Sequence, residues 1–342
     1  MTSLWTHSSL FNDGGATAAV AALGLTVGEG GTPLEPSPVL ASLTGAGELL
    51  LKREDFNPSG SHKDRGLLYQ VARHAPEGGQ TFVLSSSGNA ALSAAAACSR
   101  SGSRLVAFVS PGTATAKMAG LLASEAVVIA CPKPINFARY AARVFGLTNL
   151  RGTVDPISSI GYRSIAGELS EQTLGVDALF TFSSSGISME GIDDGFRALG
   201  QGPALWSVQS GECLGIVRAL RPDTASDPDS PAGRLGIRNP PGAEALAARL
   251  VSTGGGAIAV STEQVQRWEG RLKEVGITTS AEGAAVLAGV QATSGLEGKR
   301  VVAIMTGRRG GELATGTKPA HRADSYLEVR SLLTDQLGLD PV

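Results

Sequence analysis

The stretch Asn57-Pro58-Ser59-Gly60-Ser61-His62-Lys63-Asp64-Arg65-Gly66 sets one lysine where a broken turn gives way to a helix. Pro58 and Gly60 rule out regular helix before it. From Asp64 onward Leu67, Leu68 and Val71 fall on one helical face. Helix N-termini carry free N–H groups and a partial positive charge. A lysine there is badly placed to offset the dipole. It is well placed to hold an anionic cofactor and to have its pKa lowered for Schiff-base chemistry. A solvated Lys-Asp-Arg cluster on a loop has the same local spacing, so the rest of the chain must decide.

Three further stretches gather polar groups. Ser85-Ser86-Ser87-Gly88-Asn89-Ala90-Ala91 offers hydroxyls, successive backbone N–H groups and an amide at a helix start. That is a cradle for a carboxylate or phosphate, and it exceeds what a serine-capped turn needs. Ser183-Ser184-Ser185-Gly186-Ile187-Ser188 repeats the arrangement and suits a phosphate. In Thr306-Gly307-Arg308-Arg309-Gly310-Gly311 the hydroxyl could meet a ring nitrogen. Its two arginines could meet an anion or form a solvated pair. The chain has no GxxxxGK[ST] and no GxGxxG, which disfavours nucleoside triphosphates and dinucleotides. It has no GxSxG, and neither the scattered histidines nor Cys98, Cys131 and Cys213 have metal-ligand spacing. One lysine with two anion cradles fits a phosphorylated aldehyde cofactor and an amino-acid carboxylate. Pyridoxal 5'-phosphate meets that description.

The elements around these stretches alternate. Strands are expected over 48–54, 81–84, 104–109, 126–130, 178–182, 204–209, 257–260 and 300–305. Helices are expected over 89–100, 115–124, 136–145, 160–173, 188–198, 211–220, 242–250 and 323–337. Two more start at an N-cap Thr262 and near Ser280, and 16–25 is a helix or a packed arm. Residues 222–241, rich in Pro, Asp and Ser, read as a surface excursion. Such alternation points to an α/β fold of parallel sheets with helices on both faces. Ligands of these sheets bind beyond the carboxyl ends of the strands. All four polar stretches follow strands, so one crevice would collect them.

At 342 residues the chain has room for two domains or one large α/β unit. With 42% hydrophobic and 18% charged residues it can build a sizeable core. A net charge of −2 gives no electrostatic reason to expect nucleic acid or an anionic membrane surface as a partner. The cysteines read as reduced core thiols. No leader pattern and no apolar run of about 18 residues is found, so a soluble cytoplasmic protein is expected.

On these residues the chain resembles the fold-type II enzymes dependent on pyridoxal phosphate (tryptophan synthase beta-like), and among them the threonine synthases. Gly28-Glu29-Gly30-Gly31-Thr32-Pro33-Leu34 is similar to their GEGxTPL, and Lys52 to Gly66 to their KxExxNPTGSFKDRG. Asp-Arg-Gly after the lysine favours threonine synthases over dehydratases. Ser86-Ser87-Gly88-Asn89-Ala90-Ala91 resembles their SSGNAA. The resemblance implies that Lys63 forms the Schiff base and moves protons at Cα and beyond. It implies that Asn89 bonds the cofactor's 3'-oxygen, and that Ser86, Ser87 and Ala90 line the substrate carboxylate site. Ser184, Ser185, Gly186, Ile187 and Ser188 would hold the cofactor phosphate, and Thr306 would face the pyridine nitrogen. Arg163, in Gly161-Tyr162-Arg163, matches an arginine that binds substrate phosphate.

The chain departs from the family at four places. His62 replaces a phenylalanine and could add an acid/base group. The phosphate loop is Ser-Ser-Ser-Gly-Ile-Ser instead of the Gly-Asn-Gly-Gly-Asn type. No asparagine stands beside Arg163, and Arg308-Arg309 replaces Gly or His with Gly-Leu. His62 and Arg308 therefore join the substrate-binding candidates.

The resemblance implies a two-domain α/β enzyme, each domain an open, mostly parallel sheet flanked by helices. Residues 1–56 and 165–342 would form the large cofactor-binding domain. Residues 57–164 would form a small mobile domain carrying the lysine and the carboxylate loop. The expected reaction eliminates phosphate from O-phosphohomoserine and adds water to give threonine, in a homodimer with no metal. The alternative is another β- or γ-replacement or elimination on a substituted amino acid in a specialised pathway. A non-catalytic metabolite sensor is a third reading, which the intact lysine motif opposes.

Overall fold

The computed structural model describes residues 3–12, 25–111, 116–233, 236–308 and 319–342. The expected helix or arm at 16–25 falls almost wholly outside them, as do Arg309, Gly310 and Gly311. Contacts divide the chain into two units. One comprises Met1–Asn12, Gly28–His62 and Ser159–Arg309. The other comprises Asp13–Val27, Lys63–Ser158 and Gly310–Val342.

The first unit holds a six-stranded sheet in the order β1-β2-β10-β7-β8-β9. These are β1 (Leu34–Pro36), β2 (Glu48–Lys52), β7 (Ala178–Phe182), β8 (Ala204–Ser210), β9 (Gly256–Val260) and β10 (Arg300–Ile304). Only β1 runs antiparallel, to β2; the other pairings are parallel. Alternate side chains feed opposite faces, as a period of two demands. Leu49 and Leu51 join Trp268, Leu272 and Val286, whereas Leu50 joins Ile165, Ile192 and Leu246. Helices therefore cover both faces, which is why the strands are apolar along their length. From β7 the chain builds β8 and β9 to one side, then returns to lay β10 on the other. The order reverses between β7 and β10.

In the second unit five parallel strands run in the order β11-β5-β4-β3-β6. These are β3 (Thr81–Ser85), β4 (Arg104–Val109), β5 (Val127–Ala130), β6 (Thr148–Asn149) and β11 (His321–Arg322). From β3 the chain adds β4 and β5 on one side and β6 on the other, so this order reverses between β3 and β6. Val83, Val106, Phe108 and Ile129 pack under the helices Pro134–Val144 and Tyr326–Leu337.

Several expected elements shift. Strand β2 ends at Lys52, and Glu54–Phe56 forms a 3-10 turn. The helix expected over 160–173 is a 3-10 turn at Ile160–Tyr162 followed by α-helix at Arg163–Gln172. The helix expected from Gly211 starts at Gly215, because Gly211 sits in a turn at φ +68°. Ser261 is the N-cap expected at Thr262. Its hydroxyl accepts from Gln264 N while the Gln264 side chain accepts from Ser261 N. Part of the expected surface excursion is core: Ser230 and Ala232 are buried, and Ser230 Oγ lies 2.7 Å from Ser210 Oγ.

All three cysteines are buried and free. Among the described residues, no helix is long and apolar enough to cross a membrane. None of the groups of His, Cys, Asp and Glu among them could hold a metal ion.

Candidate active site

The two longest motifs form a buried polar lattice in the first unit. Lys52, fully buried, donates to Glu168 Oε2 at 2.6 Å, Thr32 O at 2.8 Å and Gln172 Oε1 at 2.8 Å. Thr32 Oγ1 donates to Glu54 Oε1, Asn57 Nδ2 donates to Glu54 Oε2, and Gly30 N donates to Asn57 Oδ1. A buried ion pair repays its desolvation only when its remaining hydrogen-bonding groups are satisfied, and this lattice does that. These residues are scaffold. They fix the Gly28–Leu34 turn to β2 and so aim the chain that leads to Lys63.

At the carboxyl edge of the same sheet, β7 and β10 open into the loops at Ser183 and Thr306. The helix after Ser183, Ile187–Ala198, starts from Gly186 at φ +86° with no side-chain cap. Ser183 Oγ is buried without a partner among the described residues. Gln209 supports this loop from below. Its Nε2 donates to Ser183 O at 2.8 Å, and its Oε1 accepts from Ile216 N and Val217 N. Ser184 Oγ accepts from Ile237 N at 3.0 Å, so the 222–241 segment folds against the loop. Glu190 occupies the helix's first turn, where burial pushes its pKa up and disfavours the charge that would repel an anion.

Thr306 is buried, and its carbonyl accepts from both His62 N at 3.1 Å and His62 Nδ1 at 2.8 Å. His62 is itself 8% exposed and tilts against Tyr162, with ring centroids 5.5 Å apart. His62 therefore does not face solvent. Ser61 bridges Gly307, and Arg308 N donates to Gly60 O at 2.7 Å. The Arg308 guanidinium is 3.4 Å from Asp55 O.

In the second unit Lys63 opens the helix Lys63–His74, with Asp64 and Arg65 buried behind it. The Ser85–Gly88 loop leads from β3 into the helix Asn89–Arg100, which has no side-chain N-cap. Asn89 Oδ1 is buried without a partner among the described residues.

Arg163 is tied into the first unit. Its guanidinium donates to Leu10 O at 3.0 Å, Phe11 O at 3.2 Å and Asp194 Oδ2 at 3.2 Å. The first unit holds His62, Arg163, Ser184–Ser188, Thr306 and Arg308, with His62 bonded to the Thr306 carbonyl, and the second holds Lys63 and Ser86–Ala90. Sequence reasoning passed over Gln209, Tyr162 and Arg151. A buried amide at a strand end was the available signal for Gln209; Tyr162 and Arg151 meet their partners only through long-range packing.

Residues 25–307 match the family model described as pyridoxal-phosphate dependent enzyme. The chain belongs to that family. A threonine synthase of Halalkalibacterium halodurans is 27% identical over 318 residues, covering 89% of this chain and 87% of that protein. The processed form of threonine deaminase isoform 2 from Solanum lycopersicum superposes with TM-score 0.70 at 18% identity, covering 88% of this chain and 85% of that one. Serine racemase from Dictyostelium discoideum gives TM-score 0.71 at 17% identity, over 82% and 93% of the two chains. These structural likenesses show the fold. Family membership makes pyridoxal 5'-phosphate the cofactor.

The residues present fit that cofactor. An uncapped helix start is a ready anion site, and a side chain added at Gly186 would have to displace Leu246. A Cβ there would come 2.3 Å from Leu246 Cδ2. The Ser183 hydroxyl and the Asn89 amide oxygen, without partners among the described residues, are buried polar atoms of the kind a bound polar ligand satisfies.

Proposed function

We propose that the protein is a threonine synthase-like lyase, converting O-phosphohomoserine and water to threonine and phosphate. Lys63 opening its helix, with Asp64 and Arg65 buried directly behind it, carries the reading. That Asp-Arg pair is the feature by which the motif resembles threonine synthases, and relatives bearing that name, matched over 87% and 74% of their length, support it. When bound, the cofactor supplies an electron sink for charge developing at the substrate's Cα. Lys63 holds the cofactor between turnovers, removes the proton from Cα and carries protons at later carbons. Asn89 orients the ring through its 3'-oxygen, and Ser184 to Ser188 bind its phosphate. The Thr306 hydroxyl meets the ring nitrogen without imposing a charge. Ser86, Ser87 and the Ala90 N–H bind the substrate carboxylate and so fix the direction of the Cα–H bond. Phosphate leaves Cγ, and water adds at Cβ.

A second reading is elimination or replacement on another β- or γ-substituted amino acid. The Asp194 and carbonyl partners of Arg163 favour it, because they leave that arginine's charge already met. Incubation with O-phosphohomoserine separates the two. Release of phosphate and threonine in equal amounts supports the first, and no release supports the second. Lys63→Ala should remove the absorption band of the lysine-linked cofactor and lower turnover by roughly 10²–10⁴-fold or more. Wild-type protein that shows no absorption band of lysine-linked cofactor when cofactor is added would defeat both readings. By the same resemblance the protein is a cytoplasmic homodimer, which light scattering checks for the dimer.

A further inference from the structure

Arg151 has no assigned role, and the five-stranded sheet gives it a notable place. It follows β6, the strand laid on the far side of β3 where the strand order reverses. Ligands of open α/β sheets bind beyond the carboxyl ends at such a reversal. The loop on the β3 side of this reversal is Ser85–Gly88. Arg151 NH1 donates to Ser85 Oγ at 3.1 Å, at the root of the loop, and Arg151 Nε donates to Thr153 Oγ1 at 3.2 Å. Both acceptors are neutral.

No carboxylate pairs with Arg151 among the described residues. The nearest acid along its own loop, Asp155, is committed elsewhere. Its Oδ2 accepts from Gln70 at 2.7 Å and lies 2.9 Å from His74 Nε2, and its Oδ1 accepts from Ile157 N. The charged neighbour that Arg151 does feel is Arg139. Burial first, and then the Arg139 charge, lower the Arg151 pKa. A half-buried guanidinium with no carboxylate partner is costly unless an anion completes it. Arg163 differs, because Asp194 already balances it.

We propose that Arg151 reads the anionic far end of the amino-acid substrate, and so selects substrates with a phosphate or comparable anion on the side chain. This rests on the reading of the protein as an enzyme acting on a substituted amino acid. A planar fork matches such oxyanions in a way a point charge does not.

The test reads equilibrium binding to cofactor-loaded enzyme by the change in cofactor absorbance, separately from turnover. The ligands are two pairs differing only at the far end: O-phospho-L-homoserine against L-homoserine, and O-phospho-L-serine against L-serine. In Arg151→Gln the Kd of at least one phosphorylated member should rise about tenfold or more, and that of its hydroxyl partner by less than about twofold. Arg151→Lys should fall between wild type and Arg151→Gln, and it carries the comparison if the glutamine variant does not fold. Equal weakening within both pairs would mean that Arg151 only props Ser85, and the proposal falls. No weakening in either pair would place the anion elsewhere and overturn the proposal as well. A selective loss in an enzyme that makes no threonine would sink the threonine synthase reading and leave Arg151 in place.

Discussion

The Thr306 carbonyl accepts two hydrogen bonds from one residue, His62 N and His62 Nδ1. A carbonyl can only accept, so Nδ1 carries a proton and donates it to this bond. His62 therefore steadies the backbone from which the Thr306 hydroxyl projects, and Tyr162 backs the ring. Phenylalanine, the family's residue here, would keep the ring contact and lose the polar grip. His62→Phe should cost about 1 kcal/mol of stability, because His62 N still serves the carbonyl. It should also loosen cofactor retention by a few-fold. Denaturant unfolding and cofactor titration read the two effects. Unchanged values in both would mean that the ring hydrogen bond positions nothing.

The helix Ile187–Ala198 begins without a side-chain cap. Gly186 turns the chain at φ +86°, and its missing Cβ leaves room beside Leu246. Gly186→Ala adds left-handed strain of about 1 kcal/mol and a clash with Leu246 besides. Gly175→Ala is the control, since Gly175 has φ +88° and a methyl group added there would meet nothing within 4 Å. Gly175→Ala should show the strain alone, whereas Gly186→Ala should lose stability further and bind the cofactor more weakly. Equal losses of stability and affinity would remove the packing argument. Elements of this kind were legible wherever local pattern decides them. The helix at Asn89–Arg100 and the strands at Arg104–Val109 and Ala178–Phe182 fall where their patterns put them. The two-residue strands β6 and β11 carry no pattern of their own and are held by pairing with β3 and β5. The candidate site divides the same way. Lys63 and the two serine loops announce themselves by composition. Arg151 becomes conspicuous only through the order of strands, which depends on long-range pairing.

Across the whole molecule the three thiols report on the two units. Cys98 and Cys131 belong to the five-stranded unit and Cys213 to the six-stranded one. Burial pushes Cys98 up to about 12 and Cys131 and Cys213 up to about 11. The thiolate is the reactive form, and an unfolded cysteine sits near about 8.5. Folding thus raises each thiol's pKa, so at pH 8 the native protein carries almost no thiolate at these positions and the unfolded chain carries a substantial fraction. Alkylation at pH 8 should be negligible in buffer and complete in denaturant. A unit that opens cooperatively exposes its residues together. Pulse labelling along a denaturant series, read by mass spectrometry, should therefore show Cys98 and Cys131 reacting with one midpoint. Cys213 should follow the midpoint of the six-stranded unit, and added cofactor should raise that midpoint by mass action if Ser184–Ser188 bind its phosphate. Separate midpoints for Cys98 and Cys131 would show that the five-stranded unit does not open as one. A Cys213 midpoint indifferent to cofactor would count against the serine loop as its phosphate cradle.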